Sequence, residues 1–118
     1  MNNLLIFGVG LIGGSVAIEC QKKQMFNHIV GVQRKGGTSL SPFVSNGMID
    51  RVSDNLSDDI KQADFIVIAT PVAQIRNILT TISRSLSPKT IVIDVGSTKS
   101  NVMLFARKEL KEKFPQFV

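Results

Sequence analysis

Blocks of apolar and polar positions alternate along this chain. "NLLIFGV", from residue 3, is a short apolar run ended by glycine and predicts a buried strand. Ile12, Val16 and Cys20 then recur at helical spacing and predict a helix to about residue 24. "HIVGVQR" predicts a second strand over residues 29–33, and "KGGTSLSP" a loop, with Pro42 in the first turn of a short helix ending near Gly47. "IDRVS" reads as a brief third strand, and "SDDIKQA" as a short helix capped by Ser57. "DFIVIATP" predicts a strand over residues 65–69, stopped by Pro71. Ile75, Ile78, Leu79, Ile82 and Leu86 mark an amphipathic helix, and Pro88-Lys89 turns into the strand "TIVIDV". A last helix is expected over residues 101–113, after which "FPQFV" begins a further strand. The strand segments are apolar throughout and do not alternate, so both of their faces are covered. With helices between them, the expected fold is α/β, a doubly wound parallel sheet.

Composition narrows the class. At 118 residues the chain is one domain with one core, and 43% apolar against 19% charged residues excludes a disordered segment. No apolar run approaches the roughly 20 residues that span a bilayer, and the first one breaks at Gly8 without the flanks of a signal peptide. No membrane association is expected. The single cysteine, Cys20, excludes a disulfide framework and fits a cytoplasmic location. The net charge of +5 is scattered, and seven Phe with no Tyr or Trp give no basic-aromatic interleaving for stacking bases. No nucleic-acid partner is expected. A small anionic ligand accounts for the positive excess.

Four of the nine glycines fall between Gly8 and Gly14. Gly8, Gly10 and Gly13 spell G-x-G-x-x-G between the first predicted strand and the first predicted helix, which is where that motif has a mechanism. Gly8 allows a tight turn, Gly10 lets a pyrophosphate approach the backbone, and Gly13 lets the helix pack on the sheet. The N–H groups of the turn, through Leu11 and Ile12, then face the anion. These residues predict a dinucleotide-binding domain. Twenty residues beyond Gly13 the second predicted strand ends at Gln33, where ribose recognition belongs. An acidic residue there would accept from the 2′-OH of NAD. Gln33 is neutral, and Arg34, Lys35, Thr38 and Ser39 follow it. Two cations and two hydroxyls beside a neutral amide favour the 2′-phosphate of NADP. In the other reading, Gln33 serves the 2′-OH of NAD and the cations are solvated.

"GLIGGS" (from Gly10), "ATPV" (from Ala69) and "DVGSTK" (from Asp94), in this order, resemble the nucleotide-binding domain of the prephenate and arogenate dehydrogenase family over the whole chain. The resemblance implies a Rossmann-type sheet, here truncated at the start of the sixth strand. It also implies that Thr70, Pro71 and Val72 lie along the cofactor toward its nicotinamide end. Ser97 matches the family serine that orients the catalytic histidine and the substrate hydroxyl. A helix cap is the other role open to Ser97, and Lys99 stands between an anion contact and a solvated lysine. The implied reaction is oxidative decarboxylation of prephenate to 4-hydroxyphenylpyruvate in tyrosine biosynthesis, by hydride transfer to the nicotinamide cofactor. Asp94, at the end of its strand, is expected to make structural hydrogen bonds.

One departure is plain. The only histidine, His28, opens the second predicted strand at the wrong end of the sheet. The family's catalytic histidine belongs to a G-x-H-P segment after a strand beginning like "FV", and this sequence stops at Phe117-Val118. The helical second domain, through which the family's homodimer and substrate site are implied, is expected to be absent and the chain inactive alone. Another nicotinamide dehydrogenase or imine reductase, and a nucleotide-sensing module without turnover, remain as alternatives.

Overall fold

The computed structural model describes residues 3–8, 17–18, 20–33 and 39–94. Five strands, β1 (Asn3–Phe7), β2 (His28–Val32), β3 (Arg51–Val52), β4 (Phe65–Ile68) and β5 (Ile91–Asp94), form one sheet in the order β3-β2-β1-β4-β5. Every pairing is parallel: Asn3 stands opposite His28, Leu4 opposite Phe65, Phe65 opposite Ile91 and Val30 opposite Arg51. This is the Rossmann-type α/β sheet that unbroken apolar strand segments require.

The strand pleat divides the core in two. Leu5, Phe7, Val30, Ile66, Ile68 and Val92 point to one face, against Ile60 of the Leu56–Gln62 helix and Ile75, Leu79 and Ile82 of the Val72–Ser83 helix. Leu4, Ile6, Ile29 and Val67 point to the other, with Ala17, Cys20, Leu40 and Ile49. Each fully buried Leu or Ile contributes about 1.5–3 kcal/mol, which is why β1 can have no polar position inside it. Residues 17, 18 and 20–22 are helical, and the chain then turns at Gln24, whose φ is 49°.

Element boundaries shift by a residue or two from the expected ones. β2 begins at His28 and ends at Val32, leaving Gln33 just past the strand. The short helix begins with Ser41 and has Pro42 in its first turn, as its pattern predicts. The cap of the next helix is a correction. Asn55, not Ser57, caps Leu56–Gln62, its side chain accepting from the Asp58 N–H at 3.2 Å. Ser57 lies two residues past the cap position, and its hydroxyl instead meets that of Ser85. The segments expected as a last helix and a sixth strand, residues 101–118, lie outside the described residues.

At the amino ends of the strands, side chains satisfy the backbone groups. The Asp64 carboxylate accepts from the Asn3 N–H at 2.9 Å and faces Lys89 Nζ at 3.7 Å. The Asp50 carboxylate accepts from the Ile29 N–H at 2.6 Å, and the Thr90 hydroxyl donates to the Ala63 carbonyl at 2.7 Å. Beside them the buried Asp59 carboxylate accepts from Arg51 and from the Ser53 hydroxyl. Burial pushes the Asp59 pKa up, but hydrogen bonds from Arg51 and Ser53 and the Arg51 charge outweigh that and hold it below the usual carboxylate range. Arg51 is raised correspondingly, chiefly through its hydrogen bond to Asp59.

Candidate functional site at the carboxyl edge of the sheet

Strand order reverses around β1: the chain moves outward to β2 and β3, then crosses to β4 and β5. In open parallel sheets the crevice at that reversal, beyond the carboxyl ends, is where ligands bind. Gly8 stands there. Its φ of +88° is left-handed, and a Cβ on it would lie 2.8 Å from the Ala69 carbonyl carbon and oxygen and from Thr70 Cγ2. The Ala69 N–H donates to the Phe7 carbonyl at 2.8 Å, so the end of β4 is drawn against the turn. Glycine at this position is therefore demanded twice, by backbone conformation and by a neighbouring strand.

Gln33 leaves β2 at the same edge. Its Oε1 accepts from the N–H of Leu40, a buried core residue, at 3.2 Å. The side chain thus ties the end of β2 to Leu40, and its amide nitrogen is a donor. Ser39 is engaged locally, accepting from the Ser41 N–H at 3.2 Å and meeting the Ser41 hydroxyl at 3.1 Å. Gly10, Leu11, Ile12, Gly13, Arg34, Lys35, Thr38, Ser97 and Lys99 lie outside the described residues.

Thr70 and Pro71 carry the chain from β4 into the Val72–Ser83 helix, where Pro71 is the N-cap residue and no side chain caps the helix. Thr70 is buried and its Oγ1 has no hydrogen-bond partner among the described residues. Asp94 ends β5 opposite Ile68 and is also buried. Among the described residues its Oδ1 has no hydrogen-bond partner, which corrects the expectation of structural hydrogen bonds there. The residue sits at the last ladder position, and no donor among the described residues reaches that oxygen. Sequence reasoning noticed the residue, a lone acid ending an apolar strand before a glycine, and misjudged its environment. The Leu40 contact of Gln33 left no sequence signal.

His28 opens β2 and is exposed at the amino edge, as its position predicts. A strand of this length places it about 16 Å from the carboxyl edge. A cavity of about 420 Å³ lies at that amino end, bordered by Asn3, Asn27, His28, Arg51, Asp59 and Gln62. Its polar lining is largely engaged internally, Arg51 with Asp59 and Asn3 with the Gln62 carbonyl. Among the described residues no group of His, Cys, Asp or Glu is arranged to hold a metal, and no helix is long and apolar enough to cross a membrane.

A parallel sheet in this order, with a glycine turn pressed against β4 at the reversal, defines a Rossmann-type nucleotide-binding domain. The chain belongs to the family described as prephenate dehydrogenase, nucleotide-binding domain, whose pattern matches residues 16–117. It is similar to the prephenate dehydrogenase of Bacillus subtilis (strain 168), 32% identical over 118 residues, covering 99% of this chain and 31% of the relative. A solved prephenate dehydrogenase from Aquifex aeolicus, in complex with hydroxyphenyl propionate and NAD+, superposes with a TM-score of 0.83 at 30% identity. That match covers 99% of this chain and 40% of the solved one. A Synechocystis arogenate dehydrogenase matches with a TM-score of 0.76 at 27% identity, covering 92% of this chain and 38% of that one. The chain spans about a third of the length of the Bacillus relative.

Proposed function

We propose that this chain is the cofactor-binding part of an NADP-dependent prephenate dehydrogenase, a cytoplasmic homodimeric enzyme of tyrosine biosynthesis that converts prephenate to 4-hydroxyphenylpyruvate. One observation carries the reading: "GLIGGS", "ATPV" and "DVGSTK" follow β1, β4 and β5, three strands adjacent in the sheet. The strand ends that precede them, Phe7, Ile68 and Asp94, stand in register at one edge of the sheet.

The orphaned Thr70 Oγ1 and the close approach at Gly8 fit a dinucleotide along this edge. The glycine turn, Gly8 to Gly13, takes the pyrophosphate on its N–H groups. Gln33, with its oxygen engaged by Leu40, presents N–H donors to the adenosine ribose. A 2′-phosphate only accepts, and Arg34 and Lys35 add charge to match, which supports NADP over NAD. The bound cofactor supplies the hydride acceptor. Ser97 orients the substrate hydroxyl and the histidine of a G-x-H-P segment, and His28 takes no part.

Purified chain should bind NADP and give no prephenate-dependent NADPH, whereas a version extended through the second domain turns over. In that longer enzyme Ser97→Ala should lower kcat more than NADP affinity. Prephenate-dependent NADP reduction by the 118-residue chain would overturn this placement of the catalytic groups. The likeness to the Synechocystis enzyme makes arogenate the second substrate to assay, and the larger kcat/KM decides between them. Cofactor binding without turnover in the extended version would favour a nucleotide-sensing module.

A further inference from the structure

β5 is apolar on both sides but covered on only one. Val92 is fully buried in the core layer of the Val72–Ser83 helix, whereas Ile91 is 37% exposed and Ile93 only partly buried. Ile91 pairs in register with Phe65 and Ile93 with Val67, so both isoleucines lie on the opposite face, the one that Phe65 and Val67 share with Ala17 and Cys20. The Phe65 ring is itself partly buried and meets Phe26 edge to face, with centroids 5.6 Å apart. Phe26, Phe65, Ile91 and Ile93 thus make one apolar strip across β4 and β5, and Met25, 51% exposed, precedes Phe26.

A parallel sheet is stable with both faces covered. The connections between these strands do not cover this one. A right-handed crossover from β4 to β5 places its helix on the Val92 side, and a connection continuing outward from β5 falls on that side too. On the strip's face, Ala17 and Cys20 pack with Leu4, Ile6, Ile29 and Val67, and that layer does not extend to Ile91 or Ile93. The chain covers 31% of the Bacillus relative and 40% of the Aquifex enzyme, so most of either protein lies beyond the matched part.

We propose that this strip seats one amphipathic helix from the part of the longer protein that follows residue 118. Neighbouring strands are about 4.8 Å apart and a helix with its side chains is about 10 Å across, so two strands seat one helix. Its contact side is apolar, because the isoleucine and phenylalanine side chains offer it no hydrogen bond. This rests on the reading of the chain as one part of a longer enzyme, and not on which cofactor that enzyme takes.

Maleimide labelling of Ile91→Cys tests it, in the 118-residue chain and in the version extended through the second domain. Native Cys20 is buried and supplies the background rate. Arg84→Cys, exposed at the end of the helix on the other face, is the control and should label alike in both versions. Ile91→Cys should label readily in the 118-residue chain and on the order of tenfold more slowly in the extended one. Equal rates in the two versions overturn the proposal. Slow labelling of the shorter chain overturns it as well, and if that protection fades on dilution a second copy occupies the strip. Ile93→Cys gives an independent reading should Ile91→Cys fail to fold, with the same outcomes. Prephenate turnover by an extended version whose strip labels freely leaves the enzyme reading standing and removes this one. Protection without turnover does the reverse.

Discussion

The two ends of the sheet are built on opposite rules. At the amino end carboxylates close on backbone donors and cations: Asp64 on Asn3 and Lys89, Asp50 on Ile29, Asp59 on Arg51 and Ser53. At the carboxyl end Thr70 Oγ1 and Asp94 Oδ1 are buried without a hydrogen-bond partner among the described residues. Both ends have the same backbone and the same two core layers beside them. The satisfied end stabilises the fold, and on the proposed function the other end keeps its hydrogen-bonding capacity for the cofactor.

The largest effect expected from breaking this contrast is at Gly8. Gly8→Val would force a branched side chain into a left-handed φ and against the Ala69 backbone. A cost on the order of 3 kcal/mol or more is expected, read as a lower chemical-denaturation midpoint with loss of cofactor binding. Gly10→Val should differ, abolishing cofactor binding in a folded domain, because the motif keeps that position clear for pyrophosphate. Together the two variants separate a glycine needed by the fold from one needed by the ligand.

Asp59→Ala, at the other end, should destabilise by about 1–3 kcal/mol because Arg51 and Ser53 lose their acceptor. Cofactor affinity of the folded protein should not change. The same carboxylate sets a pH dependence. Its folded pKa lies below the unfolded value, so its contribution is complete above about pH 4 and fades as pH falls through the folded value. Acid titration of stability should show that loss in the wild type and less of it in Asp59→Asn.

Gln33→Asp should shift preference from NADP toward NAD by about tenfold or more, since a carboxylate repels the 2′-phosphate and accepts from a 2′-OH. Parallel titrations with the two cofactors check it. The smallest effect is expected at Lys89, largely exposed and 3.7 Å from Asp64. Lys89→Ala should change stability by less than about 0.5 kcal/mol, within the usual worth of a surface ion pair. A larger loss would show that the amino end depends on its cations as well as its carboxylates.

The sequence by itself determined the succession of strands and helices, the burial of both sheet faces and the place of the glycine turn. These follow from periodicity and φ preference, which act over a few residues and leave a readable pattern. Strand order is not written in that pattern; the ladders between distant segments set it as β3-β2-β1-β4-β5. Only the tertiary structure decided which groups meet. It chose Asn55 over Ser57 as a cap, gave the Gln33 oxygen to Leu40, and pressed β4 against Gly8. It also left Asp94 Oδ1 without a partner among the described residues, where hydrogen bonds were expected. Hydrogen-bond partners across a fold depend on distances of a few tenths of an ångström between segments far apart in the chain. No local pattern encodes such distances; packing sets them.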